Sequence, residues 1–213
     1  MLAGMLSVLL VAGIIGLGIF LATDKPAPEP AAVGQGPSQS ASHAAPTATA
    51  SAEPLPPVKI RTLPAAAKAA GCTLANPPVL GHLHEEREFT AADYNSNPPT
   101  SGNHFPAYYN DGKYAPGTTP NLGMLVHTLE HGRIDLQYKP GTPAATVSRL
   151  ETVYDELDAY HMLLFENGTD MPYAVAATAW GHLLGCPTMN DKVFDAVRAF
   201  RKNYVDKGLE TIP

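Results

Sequence analysis

Five of the eight histidines fall between His82 and His131. They stand in three short motifs: Gly81-His82-Leu83-His84, Ser101-Gly102-Asn103-His104 and His127-Thr128-Leu129-Glu130-His131. Imidazole is a ligand for zinc, copper, nickel and iron. His127 and His131 are four apart in a stretch, Leu122 to Gly132, whose apolar positions fit a short helix stopped by Gly132. Four residues turn about 400°, so both rings lie on one face, one turn apart. A helix uses this spacing to give two nitrogens to one metal ion. Glu130 is within reach of the same face, where it can orient a histidine, act as a general base or stay solvated. His104 follows a Pro-Pro-Thr-Ser-Gly loop stiff enough to hold it. His82 and His84 point the same way if their segment is a strand. A centre built from His104, His127, His131 and one of His82 or His84 is geometrically reasonable, with copper or zinc as the expected ion. The plainer reading is that each is a surface or hydrogen-bonded core histidine, because a pair at this spacing arises readily by chance.

The order His-x-x-Glu-His is also the inverted zincin pattern, in which the glutamate is the general base for a zinc-activated water. That chemistry needs a third ligand from a later carboxylate, such as Glu151 or Asp155. Met124 could add a soft ligand for copper, although a methionine on an apolar helix face more often packs in a core. His161 and His182 lie in or near strands and read as structural. His43 stands alone in a polar tract and reads as inert.

The elements that must position these groups lie in residues 58–213, where charges, aromatics and periodic apolar positions run continuously. Residues 58–120 are rich in Pro and turn residues and suggest short strands and ordered loops. Arg133 to Tyr138 alternates as a half-buried strand. Thr142-Pro143 opens a helix reaching about Tyr160. Met162 to Phe165 reads as a strand, Asn167-Gly168 as a hairpin turn and Tyr173 to Trp180 as the returning strand. Asn190 or Asp191 caps a last helix. The expected fold is α+β, a single small domain with a mostly antiparallel sheet and helices on one face.

Residues 1–23 hold an uncharged apolar run, Leu2 to Ala22, long enough as a helix to cross the hydrocarbon core of about 30 Å. With no basic start and a poor cleavage site, the run reads as an uncleaved signal-anchor rather than a removed signal peptide. Residues 24–57, rich in Pro, Ala and Ser, read as a disordered linker. The lipid bilayer is then a partner through the N-terminal helix, and the globular domain lies on the extracytoplasmic side of a cell membrane. Cys72 and Cys186 are the only cysteines. An even count behind an export-like segment favours a disulfide, against two unrelated buried thiols or two soft metal ligands. The formal net charge of −6 argues against a nucleic-acid partner.

Several segments together resemble the bacterial domain of unknown function 3105 family: Tyr94 to His104, Val126 to Gly132, Ala179-Trp180-Gly181 and Lys207-Gly208-Leu209-Glu210. Cys72 after Gly71, and Cys186, also fit that pattern. The likeness extends over about residues 70–212. It implies an exported or membrane-anchored protein and supplies no activity. The functional expectation is a membrane-tethered extracytoplasmic domain binding copper or zinc through its histidines. The alternatives are a metal-dependent hydrolase with Glu130 as general base, and a cell-envelope interaction module without metal, its protein partner unknown.

Overall fold

In the computed structural model, which describes residues 54–156 and 158–210, the chain forms a six-stranded sheet with helices on both sides. Helix α1 (Leu63–Ala70) leads into strand β1 (Thr73–Ala75). A short 3-10 turn at Ala91–Asp93 and the two-residue strand β2 (Gly112–Lys113) interrupt a long looped stretch. Then come α2 (Leu122–Glu130), β3 (Ile134–Tyr138), α3 (Ala144–Glu156), β4 (Met162–Glu166), β5 (Val175–Ala179), β6 (His182–Cys186) and α4 (Lys192–Tyr204).

Alternation along β3 divides the core in two. Ile134, Leu136 and Tyr138 face Leu150, Val153 and Tyr154 of α3, Phe194, Val197 and Phe200 of α4, and the alanines of α1. On the other side, Leu163 and Phe165 of β4 meet Leu125 of α2. Three helices thus share one face, and α2 lies against the opposite one. Its further apolar side chains, Val126 and Leu129, pack on Trp180.

The sheet order is β1-β6-β5-β3-β4-β2. The pairs β1/β6, β6/β5 and β5/β3 are antiparallel, whereas β3/β4 and β4/β2 are parallel. The sheet is therefore mixed, and the mostly antiparallel expectation is corrected. The reason lies at Asn167. This buried side chain accepts from the backbone N–H of Thr169 and Met171 and donates to Gln137 Oε1. It fixes a loop that carries the chain past β3 instead of a two-residue hairpin. Strand β5 then pairs with the far edge of β3, and the parallel step β3–α3–β4 is closed by a helical crossover. The tight turn joining neighbouring strands is Trp180-Gly181, between β5 and β6, with Gly181 at φ +74°.

The signal-anchor at 1–23 lies outside the described residues, as does most of the linker at 24–57. Among the described residues no helix is long and apolar enough to cross a membrane. The longest, α3 and α4, have 13 residues each, about 20 Å of helix against a hydrocarbon core of about 30 Å. The membrane-tethered reading, with its transmembrane signal-anchor, bilayer partner and single-pass extracytoplasmic location, therefore has no support among the described residues. What stands is a small α+β domain with a mixed sheet.

Cys72 and Cys186 form a disulfide across a sequence separation of 114. Register places them: Thr73 pairs with Gly185, so the residue before β1 meets the last residue of β6.

Candidate metal centre

Three side chains of the site come from the end of one helix. Asn121 caps α2, its side chain accepting from Met124 N–H at 3.1 Å. Gly132, at φ +78°, carries the chain out of the helix. The buried residues His127, Glu130 and His131 therefore all sit around its last turn.

The loop carrying His104 is tied down on both flanks. Thr100 O accepts from Gly181 N–H, and Ser101 Oγ accepts from Leu80 N–H. His84 reaches the site because its segment runs parallel to residue 104 in an isolated bridge. His104 N–H donates to Leu83 O at 3.0 Å, and Glu85 N–H donates to His104 O at 2.8 Å. Asn103 Oδ1 accepts from Leu83 N–H and closes the same junction.

The rings of His84, His104 and His127 form a near-equilateral triangle, with centroids 4.8, 4.5 and 4.7 Å apart. Two of the three have a defined tautomer. His104 Nδ1 lies 2.8 Å from Gly102 O, and His127 Nδ1 lies 2.8 Å from Phe105 O. A carbonyl oxygen only accepts, so each Nδ1 carries the proton and each Nε2 keeps a lone pair. Backbone acceptors commonly hold metal-binding histidines in this way. Burial pushes both imidazoles below the ordinary histidine pKa, which keeps them neutral.

Glu130 lies against these lone pairs, only 1% exposed. Its Oε2 is 3.0 Å from His104 Nε2 and 3.5 Å from His84 Nε2. Among the described residues no hydrogen-bond donor meets either His104 Nε2 or Glu130 Oε2, although both are buried. Among the described residues, the ion-pair partners of this carboxylate are histidines alone. Burial raises its pKa, and the Glu210 carboxylate adds to the rise. The carboxylate also sits at the negative end of α2, where a helix favours positive charge. Two acceptors facing each other in a buried site need either a shared proton or a cation. Donors around one tetrahedral ion at about 2.0–2.2 Å lie roughly 3.3–3.6 Å from one another. Ligand atoms of His84, His104, His127 and Glu130 all lie within 4.8 Å of each other, so the set fits an ion with small side-chain adjustments.

The expected histidines divide. His84, His104 and His127 come together with Glu130, and His131 joins a neighbouring group with His127 and Glu210. His82 falls outside both groups. Its Nδ1 is 3.7 Å from Glu130 Oε1 and its side chain is 65% exposed, at the mouth of the site. Burial, with His127 beside it, lowers His131 to a pKa of about 4. His161 and His182 are structural: Nδ1 of each hydrogen bonds locally, to Asp206 at 2.7 Å and to Asn76 at 2.6 Å. Neither Glu151 nor Asp155 can complete an inverted zincin centre. Both lie on α3, across the sheet from α2, and Asp155 pairs with Lys113.

The carboxylate that does arrive is Glu210, which the spacing of the histidines gave no reason to select. The segment after α4 is zipped onto the end of α2. Asp206 N–H donates to Gly132 O at 2.9 Å, and Glu210 N–H donates to Glu130 O at 3.0 Å. Its only trace in the sequence is the Lys207-Gly208-Leu209-Glu210 segment among the familiar motifs.

No solved structure matches the chain. The Pre-mRNA-splicing factor rse1 of Neurospora crassa is 30% identical over 125 residues, covering 42% of this chain and 10% of that protein. The chain thus spans about a tenth of the length of the curated relative it matches. A family match runs over residues 85–211, more than half of the chain, and takes in His104, His127, Glu130, His131 and Glu210 while beginning just past His84. By that match the chain belongs to the family described as Protein of unknown function (DUF3105).

Proposed function

We propose that this domain binds one transition-metal ion, zinc or copper, through His84, His104 and His127, with Glu130 as the fourth donor. The observation that carries this reading is the buried contact between His104 Nε2 and Glu130 Oε2, two acceptors with no donor between them. An imidazole-rich set with one carboxylate suits zinc and copper better than calcium or magnesium, which prefer oxygen alone. Elemental analysis of the purified full chain after dialysis tests it. One zinc or copper per chain is expected, absent from His104→Ala. A chain that takes up no transition metal is instead an interaction module whose histidines serve its loops.

A second reading rests on the openness of one side. The His82 and His84 side chains are 65% and 42% exposed, so the rim of the site faces solvent while the Glu130 carboxylate stays buried behind it. In a metal-dependent hydrolase the three imidazoles would hold the ion and Glu130 would take a proton from the attacking water. Its raised pKa moves it toward the range where a general base is effective. Glu130→Gln separates the two uses. Retained metal with lost turnover on a peptide and ester panel marks a base, and lost metal marks a ligand.

A further inference from the structure

Among the described residues neither ring nitrogen of His131 has a hydrogen-bond partner, although the residue is only 2% exposed. Its Nε2 faces Glu210 Oε2 at 3.4 Å. Tyr108 packs edge-on against it, with ring centroids 4.4 Å apart, and closes one side. The nearby guanidinium of Arg133 is held by Asp111 at 2.8 Å. Ligand atoms of His127, His131 and Glu210 lie within 4.8 Å of one another, beside the first set rather than inside it.

His127 belongs to both groups, but its Nδ1 is committed to Phe105 O. A single lone pair on Nε2 serves a single ion. When His127 is bound in the buried set, the neighbouring group is left with His131, Glu210 and water. Glu210 is half-exposed, so solvent can complete the coordination.

We infer that His131 and Glu210 form a second, weaker transition-metal subsite beside the first, with Glu210 supplied by the segment latched onto the end of α2. This inference rests on the metal-binding reading of the neighbouring cluster. Binding at the second subsite draws on fewer protein donors, so it fills at higher free metal. Two adjacent ions of unequal affinity, one buried and one open to solvent, are the consequence.

The test is equilibrium dialysis of the full chain against buffered free zinc, with bound zinc counted by elemental analysis. Wild type is expected to saturate at two ions in two steps. Glu210→Gln changes a half-exposed side chain with little risk to folding, and should weaken the second step tenfold or more while leaving the first. Saturation of wild type at one ion that survives Glu210→Gln overturns the second subsite and leaves the first intact. A single ion lost in Glu210→Gln but kept in His104→Ala supports the His131–Glu210 subsite and sinks the buried one. No bound zinc at all overturns both.

Discussion

His104 Nε2 and Glu130 Oε2 lie 3.0 Å apart, and neither has a proton to give the other while the carboxylate is ionised. The tautomer of His104 is fixed from behind by Gly102 O. The carboxylate is buried at the wrong end of a helix dipole. An uncompensated buried charge costs several kcal/mol. A bound cation offsets that cost, and without one the pair must hold a proton.

The donor assignment makes a graded prediction. His84→Ala, His104→Ala and His127→Ala each lower zinc affinity by more than the roughly 10–100-fold typical of an outer-shell partner. His82→Ala, at the mouth of the site, leaves affinity nearly unchanged. Competition with a chromophoric chelator measures all four. Equal losses in His82→Ala and His104→Ala would contradict the assignment.

Asp135 predicts a pH dependence away from the site. It is buried on β3, and desolvation raises its pKa well above the ordinary carboxylate value despite the opposing charge of Arg133. The folded state therefore holds this proton more tightly than the unfolded state. Its stabilising effect is complete below the ordinary value of 3.8 and is lost as pH rises through the raised folded value. Asp135→Asn should remove that slope and raise stability at neutral pH. Urea denaturation across pH checks it, and a variant less stable than wild type at pH 7 would contradict it.

The disulfide closes a long loop, Cys72 and Cys186 being 114 apart in sequence. The chain-entropy relation gives about 4–5 kcal/mol for a loop of that size. Cys72→Ser with Cys186→Ser should lose stability of that order by denaturant unfolding. A loss of less than about 1 kcal/mol would show that the unfolded chain is already restricted.

How far the sequence revealed this arrangement differs by element. Periodicity located α2, β3 and α4 by their apolar positions, but β3 is buried on both faces, Asp135 and Gln137 included, and is not the half-buried strand that its alternation predicts. Helix α1 was not anticipated: its Ala-rich run, Leu63–Ala70, lies in a Pro-rich stretch and has few large apolar side chains to mark a face. Strand β6 goes unread: the expected returning strand stops at Trp180, and His182–Cys186 carries no polar–apolar alternation to mark it. The pairing of β5 with β3, in place of a β4/β5 hairpin, depends on the side-chain network of Asn167, which no local pattern encodes. At the site, the i, i+4 pair put His127 and His131 on one face, yet a backbone acceptor for Nδ1 singles out His127 for the buried set. The approach of Glu210 depends on tertiary contact between segments about 80 residues apart.

That contact is testable through Gly208. A Cβ there would collide with the backbone at Glu130 O and Gly132 N. Gly208→Val should lift the segment carrying Glu210 from α2, exposing it to limited proteolysis and abolishing the weaker zinc step. The tight step should persist. Unchanged proteolysis and two intact zinc steps would contradict the latch.

The most direct test of the central claim is anomalous diffraction at the zinc edge from crystals of the full chain grown with stoichiometric zinc. The account predicts a peak about 2.0–2.2 Å from Nε2 of both His104 and His127, with the Glu130 carboxylate and His84 turned to it. A site with no peak, and His104 Nε2 still in direct contact with Glu130 Oε2, would contradict it.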